Sequence, residues 1–352
     1  MTLGTPFQPP LEPMLARLAD GIPEGDGWLY EPKWDGFRAI AFLDGTQAYL
    51  QSRDLKPLAR YFPDVEAALL AAELPPMVLD GEIVVMTEVG LDFGALQLRL
   101  HPAASRVQML AEATPAAFVA FDLLALGEED LRGVPFEARH ARLSSAFAGA
   151  PPALVRTPST RDRSLAADWF DRFEGAGFDG IIAKRLDEAY QPGARALVKV
   201  KHLREADCVV GGFRWAKGQE GRAVGSILLG LYDADGVLHH VGHTSSFDAA
   251  GKRALVEVLT PHIATGAEEA AFGLGRTPGG PSRWTQGRNT EWVSLRPELV
   301  CEVAFDHLQG DRFRHGATFR RWRPDKPPAS CRYDQLAAVV PAELREVLGA
   351  TM

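Results

Sequence analysis

Near residue 203 the chain changes its grammar, and that change restricts the possible folds more than any compositional figure does. Before it, β-rich runs alternate with helical patterns; after it, short apolar runs follow one another between glycines. The first part contains the runs Ile40–Leu43, Val78–Met86 and Ala117–Leu124. A helix is predicted over Asp64–Glu73, directly after Pro63, and another from near Leu165 through Trp169 and Phe173, stopping at Gly175 and Gly177. A strand over Gly180–Lys184 follows. In the second part Cys208–Phe213, Ser226–Tyr232, Val237–His243, Glu291–Ser294 and Leu299–Phe305 are spaced like the strands of a small barrel. Asp233–Gly236 is a hairpin signal between two of them, and Ala249–Leu259 supplies one helix. Residues 262–284, rich in Ala, Gly and Pro, are expected to form a surface loop with little core of its own.

Two domains follow, 1–203 and 204–352, in keeping with a length of 352 residues. No apolar run reaches membrane-spanning length, and the opening MTLGTPFQPP lacks the basic and apolar regions of a secretory signal. A cytoplasmic location without membrane association is therefore expected. Cys208, Cys301 and Cys331 stand far apart in sequence, which fits reduced thiols better than a disulfide framework or a zinc site. Acids outnumber Lys and Arg by 46 to 38, a net charge of -8 that argues against a surface coated by nucleic acid. The charge is uneven, however. Arg195, Lys199, Lys201 and Arg204 share a stretch without an acid, and Arg312, Arg314, Arg320, Arg321, Arg323 and Lys326 are opposed in sequence only by Asp325. Phosphate is the natural ligand for such clusters.

Familiar phosphate-binding loops are missing. No GxxxxGK[ST] string occurs, and Gly273 and Gly275 miss the dinucleotide fingerprint because Pro278 takes its last position. HExxH and GxSxG are absent too, which argues against a zinc protease or a serine hydrolase. What stands out is Glu31-Pro32-Lys33-Trp34-Asp35-Gly36-Phe37-Arg38. Alone, this KxDG string favours a solvated lysine beside a turn over a nucleophile. The segments after it reverse the balance: Ser52-Arg53-Asp54, Leu79-Asp80-Gly81-Glu82-Ile83-Val84, Phe121-Asp122-Leu123-Leu124, Asp179-Gly180-Ile181-Ile182-Ala183-Lys184, Leu197-Val198-Lys199-Val200-Lys201 and Arg321-Trp322-Arg323-Pro324-Asp325-Lys326.

This series, in this order, resembles the covalent nucleotidyltransferase superfamily over almost the whole chain. The RWRPDK ending is similar to that of ATP-dependent DNA ligases rather than capping enzymes. The phrases YEPKWDGFRA and AYQPGARALVKVK resemble the bacterial ligase C group, relatives of the ligase module of ligase D. The resemblance implies an α+β fold, with an adenylation domain of antiparallel sheets and flanking helices followed by an OB-fold β-barrel. It implies ATP as AMP donor, Mg²⁺ or Mn²⁺, and nicked duplex DNA as the partner, in DNA repair at the nucleoid. It further implies a monomer, with DNA repair proteins as candidate partners.

By the same resemblance Lys33 is the nucleophile that carries AMP. Glu31, with Pro32 beside it, accepts a hydrogen bond from the adenine amino group, and Phe121 stacks on the base. Glu82 contacts ribose or metal; Asp179, where many ligases carry Glu, is a second metal ligand. Arg38 and Arg53 meet sugar or phosphate, Arg53 also the 5′-phosphate of the nick, while Lys184, Lys199 and Lys201 approach phosphate. Arg323, Asp325 and Lys326 swing over ATP to orient pyrophosphate. Each assignment has a plainer counterpart: a core aromatic for Phe121, an exposed strand acid for Glu82, a turn for Asp179, surface ion pairs for the arginines.

Elementary chemistry bears on these roles. Attack on phosphorus requires an uncharged amine, and a lysine of ordinary pKa ~10.4 is neutral only about once in a few thousand at pH 7. Neighbouring cations, namely a metal ion and Lys199 or Lys201, would favour loss of that proton and also balance the phosphate charge. Alternation along the strand places Lys199 and Lys201 on one face, where they repel unless an anion lies between them. An RNA ligase or guanylyltransferase, and a clamp that binds nucleic acid without catalysis, are the competing readings.

Overall fold

The computed structural model describes residues 3–88, 90–266, 270–272, 275–278, 291–306 and 308–336. The expected loop over 262–284 and the end of the expected second domain lie partly outside these residues. The chain separates into two compact units, the second beginning at Leu203.

In the first unit, strand Phe37–Leu43 shows why the sequence reads as a continuous apolar run. Ala39, Ala41 and Leu43 pack into a cluster with Phe62, Val65 and Leu69, while Ile40 and Phe42 face a different cluster containing Leu11, Tyr190 and Leu197. Side chains of a strand alternate between faces, so covering both faces removes the need for polar positions. This strand lies in a seven-stranded, mostly antiparallel sheet with Ala48–Ser52, Met77–Thr87, Ala116–Leu126 and Glu129–Asp130. Gly90–Leu91 joins Met77–Thr87, and Leu154–Arg156 pairs parallel with Ala116–Leu126. Helix Pro63–Ala71 starts with proline in its first turn and sends Val65 and Leu69 inward. It ends two residues short of the expectation, where Glu73 takes a positive φ of 49°. Arg163–Phe173 begins under an Asp162 cap and stops before Gly177 (φ 85°).

A second, four-stranded sheet orders Ala16–Leu18, Leu197–Lys201, Gly180–Arg185 and Trp28–Pro32. Its register brings distant segments together: Ile182 opposes Lys199 on one side and Glu31 on the other. Gly180 cannot be replaced without cost. Its φ is +133°, and a Cβ there would lie 1.9 Å from the Val200 carbonyl oxygen.

The second unit carries the sheet Leu238–Thr244, Val224–Tyr232, Arg204–Trp215, Val300–Phe305 and Thr318–Trp322, with Val293–Ser294 on Arg204–Trp215. This is the OB-fold part of the chain, and helix Ala249–Leu259 falls where the sequence predicts it. Cys208 and Cys301 face each other across two strands, and both are buried with Cys331 as free thiols. One expectation is corrected. The stretch after residue 262 does contribute to the core, since Phe272 is buried among the strands. It occupies space that two glycines leave open: a Cβ on Gly211 would stand 2.4 Å from the Phe272 ring.

Candidate active site

Most of the singled-out residues of the first unit converge on one pocket of about 180 Å³. Glu31, Pro32, Lys33, Arg38, Arg53, Glu82, Phe121, Lys184 and Lys199 all line it. The cause is strand pairing. Strand Trp28–Pro32 delivers Glu31, and beyond its end the pairing with Gly180–Arg185 continues through two backbone bonds, Lys33 N–H to the Gly180 carbonyl (2.8 Å) and Asp179 N–H to the Lys33 carbonyl (2.9 Å). Gly36 then lets the chain turn closely past strand Met77–Thr87, where a Cβ would lie 2.2 Å from the Ile83 carbonyl oxygen.

At one end of the pocket the Lys33 amine pairs with Asp179. Lys201 pairs with the same carboxylate oxygen, at 2.9 Å. Asp179 is almost fully buried, whereas both lysines keep about a fifth of their side-chain surface in solvent. Lys199 has its pKa lowered by burial first and then by the charges of Lys201 and Lys33. The expected repulsion between Lys199 and Lys201 is therefore present, and Lys201 meets Asp179 where the sequence argument calls for an anion.

Glu82 is half-buried, and desolvation pushes its carboxyl up to about 7 against the opposing pull of Arg38 and Lys33. Among the described residues no salt bridge neutralises this desolvated carboxylate directly, so it suits a cation. Magnesium commonly takes one or two protein carboxylates and completes its shell with water and phosphate, so Glu82 fits that demand. Asp179 as placed is already balanced by two ammonium groups. Among the described residues, no group of three His, Cys, Asp or Glu side chains forms a metal cluster.

At the other end, Glu31 and Lys184 form a buried pair at 2.9 Å. Lys184 does not stand among the exposed phosphate-side cations, as its motif suggests. It donates to the Phe121 carbonyl at 2.7 Å and lies 4.7 Å from the centre of that ring. Arg38 sits over the same ring, 4.4 Å from its centre, and is held there by a two-pronged pair with Asp80 at 2.6 and 2.7 Å. Tyr190 donates a further hydrogen bond to Asp80 at 2.6 Å. Next along the strand, buried Asp122 is held by Arg139 in the same two-pronged way. Sequence reasoning quoted Asp80 and Asp122 without giving them work; their arginine partners come from other segments.

Arg323, Asp325 and Lys326 form a separate constellation in the second unit. Arg323 Nη1 reaches Asp207 at 2.9 Å and Glu302 at 3.0 Å, its Nη2 reaches Asp325 at 2.9 Å, and Lys326 lies 3.3 Å from Asp207. Arg321 pairs with Glu302 and Arg320 with Glu205. Four residues of the basic run thus face three acids, Glu205, Asp207 and Glu302, supplied by two other strands. Sequence reading also missed pocket residues: Pro13 to Ala16, Trp34, Ile182, Leu197 and Arg195. Arg195 was legible as part of a basic run; the segment at 13–16 carries no chemical signal and reaches the pocket through strand Ala16–Leu18.

Comparison with known proteins places this geometry in context. The family profile described as ATP dependent DNA ligase domain matches residues 13–201, and that described as ATP dependent DNA ligase C terminal region matches 220–326. DNA ligase C2 of Mycolicibacterium smegmatis is 53% identical over 341 residues, covering 94% of this chain and 95% of the relative. DNA ligase C of Mycobacterium tuberculosis is 49% identical over 355 residues, covering 97% and 98%. Among solved structures, a Lig E DNA ligase studied for DNA binding with a minimal scaffold aligns with a TM-score of 0.57 at 19% identity. It covers 88% of this chain and 99% of that one, a likeness of fold alone.

Proposed function

The chain belongs to the ATP-dependent DNA ligase family, whose members use ATP to seal nicks in DNA, and on that premise we propose that Lys33 is the residue that carries AMP. The observation behind this assignment is the Lys33 amine, partly open to solvent in the pocket, paired with a carboxylate that Lys201 shares. Once its proton is gone, the amine attacks the α-phosphorus of ATP, the bond to the bridging oxygen breaks, and pyrophosphate leaves. AMP then passes to the 5′-phosphate of the nick and frees the lysine. The 3′-hydroxyl finally attacks that 5′-phosphate, expelling AMP and closing the phosphodiester.

Asp179 stands where the lysine proton must go, and the positive charge of Lys199 and Lys201 supports phosphate negative charge as it builds. Glu82 would hold a divalent metal or the ribose; a bound metal supplies additional charge neutralisation at phosphate. Glu31 and Phe121 take the base, Arg53 a phosphate. Arg38, fixed to Asp80, would meet sugar or phosphate from that anchored position. Arg323, Asp325 and Lys326 orient the leaving pyrophosphate, so a chain truncated after Arg204 should lose self-adenylation; full adenylation by the truncated chain would remove that role. Mg²⁺ or Mn²⁺, a place in repair and action as a monomer belong to the same reading. No helix among the described residues is long and apolar enough to cross a membrane.

The test is covalent labelling with ATP radiolabelled on the α-phosphate. Wild type should retain label after denaturation and Lys33→Ala should not. Unlabelled wild type, freed of any bound AMP and supplied with either metal, would favour the non-catalytic clamp.

A further inference from the structure

Lys184 is a motif residue that the mechanism above leaves without work. Its side chain is 4% exposed, and its ammonium meets Glu31 Oε2, the Phe121 carbonyl and the Phe121 ring together. Glu31 itself is 3% exposed at its side chain, lines the pocket, and keeps its second oxygen, Oε1, buried without a hydrogen-bond partner. A buried acceptor without a partner is costly, and native structures seldom keep one that has no use. Isolated burial of this kind also pushes the Glu31 carboxyl upward, with Lys184 as the main opposing charge. Remove Lys184 and the carboxylate loses its hydrogen-bond donor and its largest opposing charge, leaving the smaller pull of Arg38.

Resting on the assignment of this pocket to ATP, we propose that Lys184 is a positioning residue for nucleobase selection. By binding Oε2 it turns Glu31 into a fixed, charged acceptor whose free Oε1 takes the exocyclic amino group of a 6-aminopurine and disfavours a 6-oxopurine. Through the Phe121 carbonyl it also anchors the strand that presents the ring to the face of the base. One ammonium thereby aligns the edge contact and the face contact. A base with an acceptor at position 6 would set two acceptors against each other, and sites built around a buried polar contact discriminate strongly against the mismatched analogue.

The experiment measures covalent self-labelling rates with ATP, GTP and purine riboside triphosphate, which lacks the 6-amino group, in wild type, Lys184→Met and Lys184→Arg. Wild type should label about tenfold or more faster with ATP than with the 6-unsubstituted nucleotide, the size expected for a hydrogen bond to a charged acceptor. Lys184→Met should shrink that ratio and the ATP-to-GTP ratio by a similar factor, and Lys184→Arg should restore part of it. Where Lys184→Met does not fold, the wild-type ratio decides: equal rates with ATP and its 6-unsubstituted analogue overturn the proposal. Unchanged ratios in a folded Lys184→Met, with labelling intact, overturn it equally. Failure of wild type to label with ATP at all would instead strike the assignment of the pocket.

Discussion

Lys184 stands on a strand of the small sheet and Lys33 just beyond the end of its neighbour, each against a buried carboxylate, and they are built in opposite ways. Lys33 keeps 20% of its side chain in solvent and shares Asp179 with Lys201. Lys184 is 4% exposed and meets Glu31 and the Phe121 carbonyl with no second ammonium beside it. A shared, half-open pair lets one lysine leave while the other still balances the acid. An enclosed pair does not, because the ion left behind has neither water nor a substitute partner. The first arrangement suits a group that must react, the second a group that must hold still.

The sharpest test of that contrast is chemical: Lys33→Ala should abolish the covalent adenylate and nick sealing together, read by label after denaturation and by conversion of a nicked duplex. Next in size is stability. Lys184→Met should destabilise the first unit by about 3–5 kcal/mol in denaturant melts, the usual cost of stranding a buried ion. Lys201→Met, which leaves Lys33 on Asp179, should cost about 1 kcal/mol or less. Equal losses would erase the distinction. Pairing Lys184→Met with Glu31→Gln should recover much of the loss, a non-additivity that a simple packing defect would not give.

Smaller effects concern acids that are half-buried or exposed. Glu82 has its folded-state pKa raised from 4.5 to about 7, so between these values the folded chain holds a proton that the unfolded chain has lost. Its contribution is fully present below 4.5 and is lost as pH rises through 7. In metal-free buffer Glu82→Gln should therefore gain stability relative to wild type between pH 5 and pH 8, measured by thermal melts; a constant difference would contradict the raised carboxyl. Smallest is Arg321→Ala. That side chain is 63% exposed, and Arg323 still serves Glu302, so its thermal melt should coincide with that of wild type.

The contrast between the two lysines was only half visible in the sequence. Motif order located the pocket, because each chemically marked segment sits on or beside a strand whose pairing fixes where its side chain arrives. Lys199 and Lys33 arrive where their residue type suggests. Lys184 does not, because the family pattern of its segment says nothing of Glu31 on the adjacent strand, a contact set by register across 153 residues of chain. The later part of the run from Arg312 to Lys326 was hidden for the same reason: Arg320, Arg321, Arg323 and Lys326 meet Glu205, Asp207 and Glu302 from two other strands. Phe272 escaped detection because Ala and Gly around it mark a loop, while the vacancies that receive it belong to Gly211 and Gly230. Alternation and turn signals, being local, carried the barrel strands and helix Ala249–Leu259 well.

The two backbone hydrogen bonds that lock Lys33 to Gly180 and Asp179 have a bearing on timing. With the peptide clamped on both its donor and its acceptor side, the amine travels between carboxylate and nucleotide only by turning about its own side-chain bonds. Such rotations take picoseconds to nanoseconds at exposed positions, far faster than the millisecond-scale turnover usual for enzymes. If Lys33 carries AMP as proposed, turning of its side chain would not set the pace of turnover, which would fall to slower events such as loss of the lysine proton, release of pyrophosphate, and capture and release of DNA.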